Sequence, residues 1–401
     1  MRPMTALSRL LPEAFWVIRD FFSWPLIAHQ EFWRDTLQGL GPDPGTKNAV
    51  DAGLKWLATA QDNSASNDGG VARHYSLIKG WSTSYPETTG YIIPTLIDQA
   101  GRRQDPVLLE RARRMLDWLV TIQLPCGGFQ GSTIGVSPVV PVTFDTGQVL
   151  QGLAAGVTAF GDAYFPAMRR AAEWLARTQD ADGCWRNPNP FVAAKNDHVY
   201  DMHAAWGLLE AARRDPGAAY EKTALRQIEW ALTHQHANGW FALSCAGDPK
   251  KPLTHMLGYS LRGVLEGWRF SRDERYLVSA ILAADGLISA THDNGRMPGQ
   301  IDANWKGTVS WVCLTGSVQV AHCWLMLYQV TKNTKYRDAA LRVNEFVRRT
   351  IRLEGSQNLI GGVKGSFPVT GNYGRFQFLN WACKFMIDAN TLEEDILCEE
   401  T

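Results

Sequence analysis

Apolar residues recur at helical spacing along almost the whole chain, in segments of two kinds. The first kind, such as 49–57 and 171–175, has apolar side chains three or four residues apart with polar ones between them, which predicts amphipathic helices with one buried face. The second kind is apolar around more of its circumference and predicts helices that are enclosed on most sides. These segments lie at roughly 87–100, 145–160, 199–213, 254–270, 311–330 and 376–389. No clear alternating pattern competes, so few strands are expected.

A tryptophan returns at near-constant intervals in the amphipathic segments. The four copies are Trp56, Trp118, Trp174 and Trp230, at intervals of 62, 56 and 56 residues. Glutamine follows each tryptophan five residues later, and a glycine turn comes next. Continuing the interval places Gly286 and Phe346 in the same position and gives six repeats of two helices. The sequence therefore predicts an all-α (α/α)6 toroid, in which an outer ring of helices shields an inner ring.

The six repeats occupy most of the 401 residues. We predict one toroid domain at 45–390, preceded by a helical extension at 1–44 and followed by a tail at 391–401. Lysine plus arginine and aspartate plus glutamate number 40 each, which argues against a nucleic-acid partner and favours a small molecule or glycan. Seven cysteines without CxxC pairs indicate reduced thiols and a cytoplasmic location.

The N-terminal segment Ala14–Ala28 is rich in aromatic residues but is interrupted by Arg19 and Asp20. It is too polar and too short to cross a bilayer. One interpretation is a helix packed on the outside of the toroid. The other is a helix that docks on a membrane surface or on a partner protein.

In a toroid of this kind the glycine turn leads to the start of an inner helix, so residues just after it face one end of the central cavity. Applied to each repeat, this filter selects acids, histidines and a tyrosine as candidate catalytic residues: Glu87, Asp145, His198, Tyr200, Asp201 and His255. A carboxylate at a helix start also caps free amides, and a buried histidine is often only a hydrogen-bonded core residue. Both structural interpretations stay open for these residues.

The same rim and its loops supply aromatic and hydrogen-bonding residues that suit sugar rings. The candidate substrate-binding residues are His74, Tyr75, Trp81, Tyr85, Gln148, Trp185, Trp240, Tyr259, Arg296, Trp305, Cys313, Gln319, Lys364 and Tyr373. These residues predict a polysaccharide or oligosaccharide ligand.

No metal or cofactor is predicted. His198 and His203 are five residues apart, which separates them by about 140° on a helix, so they do not form a chelating face. Cys313 and His322 are nine residues apart and fall on opposite faces of a helix. We therefore reject both pairs as metal sites.

The repeat resembles the six-hairpin toroid superfamily of glycosidases, polysaccharide lyases, sugar epimerases and terpenoid cyclases. More narrowly, four motifs resemble a family of bacterial exopolysaccharide-biosynthesis proteins. They are SYPETTGYIIPTL at 84–96, DTGQ at 145–148, CLTG at 313–316 with Gln319, and NWACKFMID at 380–388. The resemblance implies a glycan context and leaves the reaction open.

The leading hypothesis is an enzyme that acts on an acidic, uronate-containing bacterial exopolysaccharide or its precursor. In a lyase or C5-epimerase, Tyr200, His198 or His255 would remove the C5 proton while Arg296 neutralises the carboxylate. In a glycoside hydrolase, Glu87, Asp145 and Asp201 would supply the paired carboxylates. Two further alternatives are a non-catalytic glycan-binding protein of an assembly system and an isoprenoid-binding or cyclase-like protein, although the DxDD motif of cyclases is absent.

Overall fold

A computed structural model describes residues 21–192 and 197–400 of the chain. The inner ring consists of α3 (Pro86–Arg103), α5 (Thr143–Phe160), α7 (Met202–Arg214), α9 (Thr254–Ser271), α11 (Leu314–Thr331) and α13 (Asn380–Glu399). The outer ring consists of α2 (Thr46–Asp62), α4 (Pro106–Ile122), α6 (Phe165–Thr178), α8 (Tyr220–Leu232), α10 (Glu274–Ala290) and α12 (Thr334–Arg348). Each inner helix packs on the next, and α13 closes the ring against α3. The predicted (α/α)6 toroid is confirmed.

The short hairpins of the ring run from an inner helix to the outer helix that follows it. Outer helix α4 packs chiefly on α3, α12 on α11, and α2 on α13. The sequence repeat grouped each outer helix with the inner helix after it, but that connection is a long loop. Three tight turns place Gln104, Arg272 and Lys332 in the left-handed conformation. The residue after each of these then caps the outer helix by accepting a hydrogen bond from a backbone amide: Asp105, Asp273 and Asn333.

The glutamine and glycine of each repeat join neighbouring outer helices. Gln123 Nε2 donates to the carbonyl of Gly127 at 2.8 Å and to that of Ala167, in α6, at 2.9 Å. Gln61, Gln179 and Gln235 make the equivalent pair of bonds. Gly127 has a φ of 98°, and a Cβ there would lie 2.3 Å from the carbonyl oxygen of Arg170. Only glycine accommodates both the positive φ and this close approach.

Short strands organise the loops at the end of the ring where the inner helices begin. β1 (His74–Ser76) lies between β2 (Gly80–Trp81) and β5 (Gln377–Leu379), with antiparallel pairing on both sides. A second antiparallel pair joins β3 (Val312–Cys313) to β4 (Ser366–Phe367). The three-stranded sheet connects the first repeat to the last and places the loop before α3 beside the start of α13.

Helix α1 (Leu26–Trp33), continued by a π-helical turn at Arg34–Gln38, packs with its charged face inward. Glu31 and Asp35 are buried and bind the Lys364 ammonium at 2.9 and 2.5 Å. The opposite face carries Leu26 and Leu37, which are 73% and 74% exposed. The remainder of the predicted extension, 1–20, lies outside the described residues. Within 21–192 and 197–400, no helix is both long and apolar enough to span a membrane.

Candidate active site

A cavity of about 280 Å³ opens at the end of the ring where the inner helices begin. Side chains from the first turns of several inner helices and from the preceding loops line it. The lining residues are Arg73, Tyr85, Glu87, Thr88, Ser132, Phe144, Asp145, Asn189, Phe191, Val192, Tyr200, Ala246, His255, Met256, Tyr259, Tyr373 and Trp381. The first turns of α3, α5, α9 and α13 therefore line this cavity, and Tyr200 lines it from the turn before α7.

Two buried carboxyl groups lie in the cavity on adjacent inner helices. Glu87 is in the first turn of α3 and Asp145 in the first turn of α5. Burial raises the pKa of Glu87 to about 7, although hydrogen bonding to Tyr85 and the charge of Arg73 oppose the rise. Burial also raises the pKa of Asp145, and the neighbouring Glu87 charge raises it further. The protonated form of both groups is therefore favoured, and ionisation of one makes ionisation of the other harder.

Tyr85 lines the same cavity as the two carboxyl groups. Tyr85 is the N-cap residue of α3, and burial together with the charges of Asp145 and Glu87 raises the pKa of its hydroxyl. Because a phenol has one proton to donate, it can bond only one carboxylate as donor at a time and must accept from a protonated carboxyl otherwise.

Arg73 provides the cationic group of the cavity. Its Nη1 lies 3.0 Å from His74 Nδ1 and 3.4 Å from Gln377 Oε1, and its guanidinium lies 4.9 Å from the centre of the Trp381 ring. The strand pairing of β1 with β5 holds these four residues together. Arg73 thus presents a positively charged, aromatic-backed surface beside Glu87.

Two histidines at the inner-helix starts are each held by a glutamine from the neighbouring inner helix. His255 Nδ1 lies 2.7 Å from Gln319 Oε1, and His203 Nδ1 lies 2.7 Å from Gln148 Oε1. An amide oxygen only accepts, so each ring carries its proton on Nδ1 and a lone pair on Nε2. Burial lowers the pKa of His255 to about 4, which keeps the ring neutral at physiological pH.

Tyr259 lies between these histidines at the floor of the cavity. Its ring centre is 4.3 Å from that of His255 and 4.6 Å from that of His203. Its hydroxyl is buried, and burial raises its pKa well above the usual value. Tyr373, on the opposite side of His255, accepts a 2.8 Å hydrogen bond from Trp381 Nε1. The floor is therefore a packed set of aromatic rings with few mobile groups.

Four of the six candidate catalytic residues line the cavity, namely Glu87, Asp145, Tyr200 and His255. Asp201 and His198 are buried but do not line it. His198 stacks on Tyr200 with ring centres 4.6 Å apart and an interplanar angle of 14°, so it supports the tyrosine from behind. Asp201 belongs to the 3-10 turn before α7, and burial raises its pKa.

Among the candidate substrate-binding residues, Tyr85, Tyr259 and Tyr373 line the cavity and the others do not. Gln148 and Gln319 instead hold the histidines, and Cys313 caps α11. His74, Tyr75 and Trp81 belong to the three-stranded sheet. Of the predicted cations, Lys364 forms buried ion pairs with Glu31 and Asp35 and is not available to a ligand. Arg296 donates to the Ser310 carbonyl at the surface.

The three loop tryptophans pack beside the outer helices and away from the cavity. Trp185 is buried, and its Nε1 donates to the Leu175 carbonyl at 2.9 Å. Trp240 and Trp305 contact each other with ring centres 5.2 Å apart, and Trp305 covers Gly286 in the tryptophan slot of repeat five. The missing tryptophan of that repeat is thus replaced from a loop.

Several lining residues were not predicted from the sequence, notably Arg73, Ser132, Asn189, Phe191 and Trp381. A signal existed for two of them. Arg73 precedes the selected His74, and Trp381 is the second residue of α13. Residues 372–375 were selected in repeat six because the inner helix was expected to begin near 376, whereas it begins at Asn380.

The comparisons with known proteins agree with the architecture. A sequence model of the squalene-hopene cyclase C-terminal domain matches residues 84–263. No curated protein sequence matches the chain. The fold is similar to that of an unsaturated glucuronyl hydrolase specific for heparin, at 16% identity and a TM-score of 0.71, over 88% of this chain and 98% of that one.

Two further solved structures give the same result. Cellobiose 2-epimerase from Bacillus thermoamylovorans is 10% identical, with a TM-score of 0.69 over 87% of this chain and 98% of that one. Unsaturated glucuronyl hydrolase from Bacillus sp. GL1 is 14% identical, with a TM-score of 0.67 over 86% of this chain and 96% of that one. These likenesses establish the toroid fold.

Proposed function

We propose that this protein is a carbohydrate-processing enzyme that hydrolyses a glycosidic bond of an acidic saccharide, with Glu87 and Asp145 as its proton-transfer groups. The observation that carries the proposal is the pair of buried carboxyl groups, both with raised pKa values, that lie with Tyr85 in one cavity on adjacent inner helices. Glycoside hydrolysis needs this combination of one protonated and one ionised carboxyl group.

The coupled pair can perform both roles at neutral pH. The charge of one carboxylate raises the pKa of the other, so the pair favours a state in which one group is ionised and the other stays protonated. The protonated group would donate to the leaving glycosidic oxygen, and the ionised group would activate water or attack the anomeric carbon. Tyr85, in the same cavity, can donate to the ionised group or accept from the protonated one.

The lining supports a uronate-containing substrate. Tyr373, Trp381 and Phe144 offer aromatic faces for a pyranose ring, and Arg73 lies beside Glu87 where it can bind a sugar carboxylate. The known structures with this fold include hydrolases of unsaturated glucuronyl saccharides, which is consistent with the proposed substrate class. The bacterial exopolysaccharide setting rests on the sequence motifs alone.

A second candidate is proton abstraction by His255 in a lyase or epimerase. The specific observation in its favour is that His255 lines the same cavity with its Nδ1 engaged by Gln319, which leaves Nε2 as a neutral base. A neutral imidazole can remove a proton next to a carboxylate that a cation has neutralised, and Arg73 is the cation at hand. A cellobiose epimerase shares the fold.

The test compares variants on a panel of uronate-containing oligosaccharides, both saturated and unsaturated. Reducing ends measure hydrolysis, the ultraviolet absorbance of a new unsaturated uronate measures lyase activity, and solvent deuterium in the sugar measures epimerisation. We expect reducing ends to appear without new absorbance. Glu87→Gln should abolish them, whereas Glu110→Gln on the exposed surface of α4 should not.

The other outcomes are equally informative. New absorbance or deuterium uptake that is lost in His255→Phe and kept in Glu87→Gln would favour the second candidate. Binding without any turnover would indicate a glycan-binding protein of an assembly system. The cyclase-domain match keeps an isoprenoid ligand as the fourth outcome, but the charged, carboxyl-lined cavity and the absent DxDD motif argue against it.

A further inference from the structure

The end of the ring opposite the Glu87–Asp145 site holds a second cavity, here called the lower cavity. It measures about 500 Å³ and is formed by residues in the later turns of the inner helices. All six inner helices contribute to it, through Thr95, Gln151, Trp206, Arg262, His322 and Lys384. It shares no lining residue with the candidate active site.

Two largely buried cations form the floor of the lower cavity. The side chains of Arg262 and Lys384 are only 12% and 5% exposed. Arg262 Nε donates to Glu266 at 2.7 Å, and its Nη1 lies 3.2 Å from His322 Nδ1. Lys384 Nζ lies 2.5 Å from Asp388. Each cation therefore has one carboxylate contact.

The carboxylates at the floor are shared with other groups. Glu266 also accepts from Arg269 at 3.0 Å, so one carboxylate serves two guanidinium groups. Asp388 also accepts from Thr95 Oγ1 at 2.7 Å. An arginine has five N–H donors and a lysine has three, so the cations have more donors than the described residues satisfy. Glu266 and Asp388 balance the two buried charges, but an anion can accept from the N–H groups that these carboxylates leave unpaired.

A buried acceptor and an apolar wall complete the lower cavity. Gln151 is buried, and its Oε1 has no hydrogen-bond partner among the described residues. Its Nε2 donates to Gln148 Oε1 at 2.9 Å, which fixes the orientation of the amide. Ile97, Ala155 and Trp206 line the walls. The chamber thus offers donors for an anion, the unpartnered Gln151 oxygen for a hydroxyl and apolar surface for an organic body, while its other lining carboxylates, Asp98, Glu210 and Asp395, each contact an arginine.

We propose that the lower cavity is a binding site for a small organic anion, whose carboxylate or phosphate group is held by Arg262 and Lys384 while its body packs against the Trp206 wall. A hydroxyl of the ligand would donate to Gln151. This site is independent of the proposed hydrolysis, since it shares no residue with the catalytic pair.

The experiment is a calorimetric titration of the full chain with benzoate and phenyl phosphate, with benzyl alcohol as the uncharged counterpart of the same ring. We expect both anions to bind and the alcohol not to bind. The double variant Lys384→Met/Asp388→Asn removes the ammonium together with its carboxylate, so the net charge is unchanged. The double variant should weaken anion binding at least tenfold, while Arg73→Gln in the cavity of the candidate active site should leave anion binding unchanged.

Ala155→Phe gives a second route to the same answer, because it fills the lower cavity from the wall and touches neither ion pair. Ala155→Phe should also weaken anion binding at least tenfold, and it tests the proposal even if the double variant fails to fold. The proposal is overturned if neither anion binds at millimolar concentrations or if benzyl alcohol binds as well as the anions. It is also overturned if the folded lower-cavity variants bind normally, or if Arg73→Gln alone abolishes binding.

Discussion

The hydrogen bond from His255 to Gln319 determines which ring nitrogen faces the cavity with a lone pair. The donor and acceptor lie 2.7 Å apart, both are buried, and the glutamine comes from the adjacent inner helix. The equivalent bond between His203 and Gln148 shows that the ring uses the same device twice. A histidine held in one tautomer by a neighbouring acceptor is poised to act as a base without rearrangement.

Replacing Gln319 with leucine should release the tautomer of His255. We expect nitrogen-resolved NMR of the histidine side chains to show Nδ1-protonated His255 in the wild type and a mixture of tautomers in Gln319→Leu, because the acceptor is gone. Gln148→Leu is the matched control, since it should change the His203 signals and leave those of His255 in place. An unchanged His255 spectrum in Gln319→Leu would show that another group fixes the ring.

At the scale of single elements, a buried ion cluster of Glu31, Asp35 and Lys364 attaches α1 and the turn after it to the toroid. Burial raises the pKa of Asp35 and opposes the lowering of the Glu31 pKa, whereas the Lys364 charge lowers both values. The cluster leaves the apolar face of α1 exposed. The predicted docking role of this segment stays a prediction.

Lys364→Met should destabilise the protein strongly, because Asp35 and Glu31 would remain buried without their shared cation. A loss of roughly 3–5 kcal/mol in the free energy of unfolding is expected when one partner of a buried pair is removed. Urea unfolding measures it. Lys335→Met is the control, since its ion pair with Asp285 is largely exposed and should be worth at most about 1 kcal/mol. Equal losses in the two variants would contradict the account.

The glycine turns make a second prediction at this scale. Gly127→Ala should cost roughly 1–3 kcal/mol more than Gly135→Ala in the same unfolding measurement. Both glycines have positive φ, at 98° and 88°, but only at Gly127 would the new Cβ meet a backbone carbonyl, whereas nothing lies within 4 Å at Gly135. The difference therefore isolates the steric contact from the backbone strain. Similar losses would mean that the outer helices shift apart at little cost.

The elements were predictable because their signals are local. Helical periodicity located the starts of the inner helices within a few residues, although α13 continues to Glu399, through most of the segment predicted as a tail. The recurring tryptophan, glutamine and glycine carry contacts that repeat around the ring. The candidate site was only partly predictable. Residues at the inner-helix starts, such as Glu87 and His255, follow from position in the repeat. Arg73 reaches the cavity through the pairing of β1 with β5, strands that are about 300 residues apart in the chain, and no local pattern reports such a contact.

Aromatic loop residues were misplaced for a related reason. A tryptophan satisfies a buried interface as well as a sugar-binding surface, so its presence near a turn does not decide between them. Trp185 and Trp305 cover the outer helices, while Trp381, inside a helix, reaches the cavity. Lys364 illustrates the same point for charge, because its partners on α1 come from a segment more than 300 residues earlier.

At the scale of the whole molecule, the ring imposes the buried setting of Glu87 and so couples the candidate site to global stability. The pKa of Glu87 is raised from 4.5 to about 7 in the folded protein. The folded state therefore keeps a proton that the unfolded chain has lost between these two values. The stabilising contribution of the protonated carboxyl is complete below about pH 4.5 and disappears as the pH rises through about 7.

Glu87→Gln should remove this dependence, because glutamine keeps a neutral side chain of the same shape at every pH. We expect the variant to be more stable than the wild type at pH 8, by an amount on the order of 1–3 kcal/mol, and the difference to shrink as the pH falls toward 5. Urea unfolding across this pH range measures it, with Glu110→Gln as the exposed control. Parallel pH profiles for Glu87→Gln and the wild type would contradict the raised pKa. A variant that loses turnover but gains stability at pH 8 would show that the ring buries this carboxyl at a cost to folding, as expected for a group retained for chemistry.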